Sequence, residues 1–328
     1  MKTFEITLTD SCTRKCPFCY INQTGYYETS ENISKFIDEV KSYPDRYAIN
    51  IFGGEPLLHF DGVKQVVDSF RNDMKDIPKY RKPKIFLMTN ADLLNDDKID
   101  YLNVNDVNVV ITAYDIIKSE IHYDGYIKLN SKLNKSSFTY TFTENDIDSY
   151  TTIRTIFRDN GMAYNLHLSH DPASWGIIYK DFEKHIDDVI SLDLYDYFNE
   201  FDNLHMEAKG LINIYLSRYI QMMFDENMKR NACVSNDKEC FFKGEFVGPC
   251  IRGCFRHEPS DVCKKCIYHK CCTGGCLAEH MDGNVNDKLC KIEFTVFSAV
   301  ERFIDDIKNS DVGKKIVQYY HDKAMCIL

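Results

Sequence analysis

The 328-residue sequence predicts an α/β fold on a parallel sheet, followed by a helical bridge and a cysteine-rich extension. Three observations carry this expectation. Short apolar runs alternate with helix-period patterns through the first 170 residues, and strands alternating with helices pack as a parallel sheet wound by right-handed crossovers. Residues 176–230 show helical spacing only. Residues 231–290 then turn to glycine, cysteine and charge with little periodicity, so something other than an apolar core must hold them. The expected division is 1–175, 176–230 and 231–328, against a length that allows about two domains.

The elements follow in order. Phe4 to Thr9 reads as a strand. Ile33, Phe36, Ile37 and Val40 then keep the i, i+3, i+4, i+7 spacing of a buried helix face, with Ser30 as N-cap. Tyr47 to Phe52 is the second strand, and Val63, Val66, Val67 and Phe70 repeat the helical spacing. Ile85 to Met88 is a third strand, followed by a polar helix at 92–102. Val107 to Ile111 is the fourth strand, with an indistinct crossover at 115–136. Phe138 to Thr143 is the fifth, followed by a helix bearing Tyr150, Ile153, Ile156 and Phe157. Tyr164 to Leu168 is the sixth. Leu211, Ile212, Tyr215, Tyr219 and Met222 are expected in the core of the helical stretch. Phe294, Phe297, Val300, Phe303, Ile304 and Ile307 mark a closing helix.

Composition removes several classes of function. Hydrophobic residues make up 44% and charged residues 27%, as in ordinary globular proteins. The net charge of −10 argues against a polyanion-binding surface, so no nucleic-acid partner is expected. No run approaches the roughly 18 apolar residues of a membrane span, and no membrane partner is expected. The N-terminus has no signal stretch, and the final Cys-Ile-Leu places its cysteine third from the end, outside a prenylation box. The expected location is cytoplasmic. There the 14 cysteines are reduced, and clustered thiolates bind metal in preference to forming disulfides.

Three cysteines fall in residues 12–19, ten in residues 233–290 and one at position 326. Cys12-x3-Cys16-x2-Cys19 directly follows the first strand. Three thiolates hold three irons of a 4Fe–4S cube and leave the fourth open to a substrate or cofactor. The spacing alone also suits zinc. Gly53-Gly54-Glu55-Pro56 ends the second strand, where two glycines permit a close backbone approach and Glu55 supplies a carboxylate for an amine. Both features lie where parallel sheets place their sites, at the carboxyl ends of strands.

On Cys12, Cys16 and Cys19, with the aromatic Phe18 before the last, and on the Gly53-Gly54-Glu55-Pro56 run, residues 4–170 resemble the radical S-adenosylmethionine (SAM) superfamily. The resemblance implies a partial (β/α)6 barrel, a SAM-binding 4Fe–4S cluster on the three cysteines, and SAM contacts from Phe18 and Gly53 to Pro56. It further implies ribose or methionine contacts from Thr89, Asn90, Thr112 and Asp115. Those four residues serve equally as ordinary helix caps. The glycine usual after the third-strand Thr-Asn is Ala91 here, and a Ser-Leu-Asp-Gly pattern reads Thr112-Ala113-Tyr114-Asp115.

The second field has Cys263-x2-Cys266-x5-Cys272-x3-Cys276 and then Cys290. By spacing it suits zinc or iron–sulfur. It resembles the SPASM extension of radical SAM enzymes, which implies two auxiliary 4Fe–4S clusters and hence three clusters in all. The first auxiliary cluster would take Cys233, Cys240, Cys250 and Cys276, and the second Cys263, Cys266, Cys272 and Cys290. Five residues separate Gly244 from Cys250 where the family has four, so Cys254 is an alternative to Cys250. Cys254, Cys271 and Cys326 remain, and Cys254 and Cys271 are the candidates for chemistry.

The resemblance implies an oxidoreductase and peptide maturase. Reductive cleavage of SAM gives a 5′-deoxyadenosyl radical that takes a hydrogen atom from a peptide or protein substrate. The favoured outcome is a thioether or carbon–carbon crosslink in a ribosomally made peptide, with electrons from flavodoxin or ferredoxin. Epimerisation with Cys254 or Cys271 as hydrogen donor is the alternative. Formylglycine formation, as in sulfatase maturases, is disfavoured because Ile251 follows Cys250 and Phe255 follows Cys254 where a carboxylate is expected. The rival class is a non-catalytic metal-binding or electron-transfer protein. Only 11 residues precede Cys12, so a leader-binding function is expected from the barrel, the extension or a separate protein. Glu144, His167 and His170 lie near strand ends as possible acid–base groups or as solvated loop residues.

Overall fold

A computed structural model of the chain describes residues 2–72, 82–118, 120–142, 147–168, 179–204, 212–224, 238–248, 261–268, 272 and 287–325. These fall into two compact units. The first contains residues 1–140, 155–164 and 235–254, and the second contains 141–154, 165–234 and 255–328.

The first unit is built on β1 (Lys2–Thr7), β2 (Tyr47–Phe52), β3 (Lys84–Thr89), β4 (Asn108–Thr112) and β5 (Ser136–Phe142). These strands pair parallel in sequential order, with β6 (Tyr164–Leu168) beyond β5 at the sheet edge. The crossovers carry α1 (Ser30–Lys41), α2 (Phe60–Asn72), α3 (Asp96–Val104), α4 (Glu120–Lys132) and α5 (Tyr150–Asp159). The indistinct crossover at 115–136 is therefore helical. Helix faces and sheet meet in one core: Ile33, Phe36, Val40, Val63, Val66 and Phe70 are buried over Ile6, Ile49, Ile51 and Leu87. The apolar period that predicts α1 and α2 is the period that is buried.

Local chemistry sets the element ends. Thr29, not Ser30, caps α1: its backbone is extended and its Oγ1 accepts from the Asn32 amide, whereas Ser30 is already helical and donates to Gln65. The helix after β3 starts at Asp96 with Asn95 as cap, because residues 91–94 form a turn closed by the Leu94 amide on the Ala91 carbonyl.

A further hairpin completes the sheet. The strand β7 (Lys238–Phe242) pairs parallel with β1, and β8 (Glu245–Gly248) returns antiparallel, so the eight strands run β6-β5-β4-β3-β2-β1-β7-β8. Its turn, Lys243-Gly244, has φ values of 53° and 80°, as a two-residue hairpin turn of the primed kind needs. This part of the cysteine-rich region does bury apolar surface. Phe241 is wholly buried, against Phe36 and Phe246. The expectation of little burial is corrected there.

From residue 179 onward the described part of the second unit is helical: α6 (Tyr179–Leu204), α7 (Ile212–Phe224), the short α8 (Asp261–Lys264), α9 (Asp287–Ile307) and α10 (Asp311–Met325). Ile190, Leu194, Leu216, Ile220, Phe297, Val300, Phe303 and Tyr320 form its core. Tyr219 is buried as expected, and α10 is a helix that the closing pattern at 294–307 does not announce. No described helix is long and apolar enough to cross a membrane.

Candidate active site

Parallel pairing brings the ends of β1 to β4 side by side. The register Thr7↔Phe52 is continued by the Leu8 amide on the Phe52 carbonyl at 3.0 Å, so the cysteine loop leaves β1 directly beside Gly53-Gly54. A Cβ on Gly53 would lie 2.5 Å from the Thr9 carbonyl oxygen, and one on Gly54 2.2 Å from that of Ser11. The close approach these glycines permit is thus to the backbone that enters the cysteine loop. It is fastened by the Gly54 amide on Thr9 O and the Glu55 amide on Ser11 O, both at 2.8 Å.

Glu55 and Pro56 have matching local reasons. Pro56 opens a short 3-10 turn, where a missing N–H costs nothing, and the Glu55 carboxylate caps it by accepting the Leu57 amide at 3.0 Å. The same carboxylate accepts the Thr89 hydroxyl at 2.8 Å and the Asn90 amide at 2.7 Å. Glu55 is fully buried. Burial pushes its pKa up against these hydrogen bonds, which favour the charged form. A carboxylate has about four acceptor positions, so three protein donors leave room for one more, such as an amine.

Thr89 and Asn90 are both buried, and both act within the site. Asn90 Nδ2 donates to Thr13 Oγ1 at 2.8 Å and lies 3.6 Å from Cys12 Sγ, which also receives the Arg14 amide at 3.4 Å. Ala91 holds φ at 68°, the left-handed conformation that a glycine takes freely. The backbone geometry survives the replacement because the Ala91 amide donates to Thr89 Oγ1 and the Asp92 amide to Asn90 Oδ1, each at 3.0 Å.

Asp115, in the turn after β4, is occupied by protein. Its Oδ1 accepts from Arg14 Nη1 at 3.0 Å and from the Tyr126 hydroxyl, and its Oδ2 lies 3.7 Å from His122 Nε2. Thr112 faces Thr139 across the sheet at 3.5 Å. The ring of Phe18 packs edge-on against Tyr114, whose face carries Lys118 Nζ at 3.9 Å. Arg14 and Asp92 are the members of this site that sequence reasoning missed. Their signal is an Arg inside the cysteine motif and an Asp two residues after the Thr-Asn pair.

Cys12 and Cys16 are half-buried and Cys19 is exposed, with the Cys19 amide closing a turn on the Cys16 carbonyl at 3.0 Å. Burial, then repulsion from Cys19 and Cys12, raises the Cys16 pKa to about 11, and burial raises that of Cys12. Crowded thiols of this kind lose their protons when a metal centre supplies the compensating positive charge. Among the described residues no three His, Cys, Asp or Glu side chains are already gathered in metal-binding geometry. The donor set still fits a three-thiolate iron centre: three cysteines on one loop, N–H donors on the Cys12 sulfur, and a buried carboxylate with an acceptor position to spare.

Of the second field, Cys240 is wholly buried on β7 and its Sγ donates to Glu5 Oε1 at 3.4 Å. Cys263, Cys266, Cys272 and Cys290 are half-buried in the second unit. The Cys266 amide closes on the Cys263 carbonyl at 3.0 Å and the Cys272 amide on that of Tyr268 at 2.7 Å. Cys233, Cys250, Cys254, Cys271, Cys276 and Cys326 lie outside the described residues, as do Glu144, His170 and the side chain of His167.

Residues 6–130 match the sequence model of the Radical SAM superfamily. The radical SAM cyclopropyl synthase TigE of Paramaledivibacter caminithermalis is 24% identical over 238 residues, 60% of this chain and 47% of that protein. The chain spans about half or less of the curated relatives it matches. Among solved structures, anSMEcpe with bound AdoMet and Cp18Cys peptide aligns with a TM-score of 0.69 at 14% identity, covering 93% of this chain and 98% of that one. Streptococcus suis SuiB bound to precursor peptide SuiA aligns at 0.59 and 16% identity, covering 85% and 72%. At these identities the two structures establish the fold.

Proposed function

A radical SAM domain occupies residues 6–130, and from that premise we propose that the protein is a radical SAM peptide maturase with a SPASM extension. The observation that carries this reading is the strand-end site itself: a three-cysteine loop fastened to Gly53-Gly54, beside a buried Glu55 with one acceptor position left. Cys12, Cys16 and Cys19 would hold a 4Fe–4S cluster, and Glu55 with its neighbours would hold SAM. When bound, cluster and SAM together supply one-electron cleavage of a carbon–sulfur bond and abstraction of a substrate hydrogen atom. The chain's own residues orient these groups and shield them from water.

The eight ligand residues of the second field, with Cys254 as the alternative to Cys250, would hold two auxiliary clusters. Flavodoxin or ferredoxin would supply electrons in a reducing, cytoplasmic setting. The substrate is a peptide, supported by the peptide-bound neighbours named above. The product is a crosslink, either thioether or carbon–carbon. The cyclopropyl synthase relative favours the carbon–carbon form, since closing a cyclopropyl ring makes such a bond. Cys254 and Cys271 remain candidate hydrogen donors for an epimerase.

Mass spectrometry of a co-expressed precursor peptide tests the proposal. Loss of two hydrogens supports the crosslink. Unchanged mass with an inverted residue replaces it by epimerisation. Anaerobic iron analysis giving about twelve irons per chain fits three 4Fe–4S cubes, about four removes the SPASM assignment, and stoichiometric zinc favours the non-catalytic class.

A further inference from the structure

Arg14 sits between the first two cysteines and reaches two strand ends at once. Its Nε donates to Asp92 Oδ2 at 2.9 Å and its Nη2 to Asp92 Oδ1, a two-pronged grip on one carboxylate. Its Nη1 donates to Asp115 Oδ1 at 3.0 Å. Asp92 follows β3 and Asp115 follows β4. The Arg14 side chain is 18% exposed and that of Asp115 13%, so this arm of the fork is part-buried, while Asp92, at 34%, holds the outer arm with two bonds to one guanidinium. Thr13, the adjacent residue, repeats the link: its Oγ1 donates to Asp92 Oδ2 at 2.9 Å and accepts from Asn90. The guanidinium is a planar fork, suited to spanning two carboxylates as an ammonium is not.

We propose that Arg14 is the positioning residue of the cysteine loop, pinning the segment between Cys12 and Cys16 to Asp92 and Asp115, and that Asp115 thereby serves the loop in place of a cofactor ribose. The Cys12 sulfur and the Asn90 amide on Glu55 lie one and two hydrogen bonds from this fork. It therefore fixes the cysteine loop relative to the carboxylate that would receive SAM. The inference deepens the reading of residues 12–19 as a cluster-binding loop and rests on it.

The test begins on the full chain without iron, so that its outcome is independent of SAM chemistry. In Arg14→Gln, amide hydrogen exchange across residues 12–19 accelerates about tenfold or more while exchange in β2 and β3 is unchanged. Arg14→Lys keeps the charge and folds, yet matches Arg14→Gln, because one ammonium cannot span both carboxylates. Asp115→Asn loosens the same loop and adds nothing to Arg14→Gln in the double variant. After anaerobic reconstitution, the change that SAM addition makes in the electron paramagnetic resonance signal of the reduced cluster is weakened in Arg14→Lys. Wild-type loop exchange in Arg14→Lys would overturn the fork. So would Asp115→Asn that leaves the loop unchanged and raises only the KM for SAM. If the loop loosens as stated while the wild-type chain makes no 5′-deoxyadenosine, the clamp stands and the functional reading fails.

Discussion

The two Cys-x2-Cys turns of this chain have the same local form and different surroundings. Cys16 to Cys19 and Cys263 to Cys266 each close with an amide-to-carbonyl bond of 3.0 Å. The first lies on a loop at the mouth of a parallel sheet, tied through Asn90, Thr13 and Arg14 to polar strand ends. The second begins within α8 and leads into Tyr268, whose ring stacks on Phe297 of α9 and whose hydroxyl donates to Glu301 at 2.6 Å. One turn is held by a charged fork and the other by a buried aromatic. The turn itself is a local property of spacing. Under the proposed cluster assignments, what each metal would do follows from whether its surroundings are polar strand ends or a packed helical core.

Variants in each region sharpen this contrast. The largest difference is expected from Cys263→Ala. It should lose about four irons per chain while still forming 5′-deoxyadenosine from SAM, because the first site is untouched; iron analysis beside product chromatography measures both. If SAM cleavage vanished as well, the two regions would not be chemically separate.

Next is Gly54→Ala, whose Cβ meets the Ser11 carbonyl oxygen at 2.2 Å, so backbone must move. A cost of about 1–3 kcal/mol is expected in denaturant unfolding, with loss of iron from the first site only. In the second region Tyr268→Phe removes the bond to Glu301 and the 3.1 Å contact with Ser298 from a buried ring. That should cost about 1–2 kcal/mol with SAM cleavage unchanged.

The smallest effect is Ala91→Gly, which relieves a left-handed alanine at φ 68°. It should raise stability by up to about 1 kcal/mol in the same unfolding measurement.

The polar clamp also has a pH signature. Burial raises the Asp92 pKa, but hydrogen bonds from Arg14 and Thr13 outweigh it and hold the folded value below 3.8. The contribution of Asp92 is therefore complete above about pH 4 and is lost as pH falls through the folded value. Asp92→Asn should be less stable than wild type at neutral pH, with the gap closing on acidification. A constant gap would contradict the clamp.

The parts of the molecule governed by neighbouring residues were legible in the sequence. The bounds of β2 and β6, the buried face of α1 and the placing of Cys12, Cys16 and Cys19 after β1 all follow from short-range period and spacing. The hairpin β7–β8 was not legible, because Lys238-Glu239-Cys240-Phe241-Phe242 has no clean alternation and its strand character comes from pairing with β1. The role of Arg14 was also hidden. Its carboxylates lie 78 and 101 residues away, and only the parallel order of β1 to β4 brings them to the loop. Ala91 shows the converse: the residue type departs from the resembled pattern, yet the alanine takes the left-handed conformation that a glycine adopts freely.

The most direct test of the central claim is reductive SAM cleavage by the anaerobically reconstituted chain with dithionite. Wild type should form methionine and 5′-deoxyadenosine, and Cys16→Ala should form neither. No 5′-deoxyadenosine from wild type, or equal amounts from Cys16→Ala, would contradict the account.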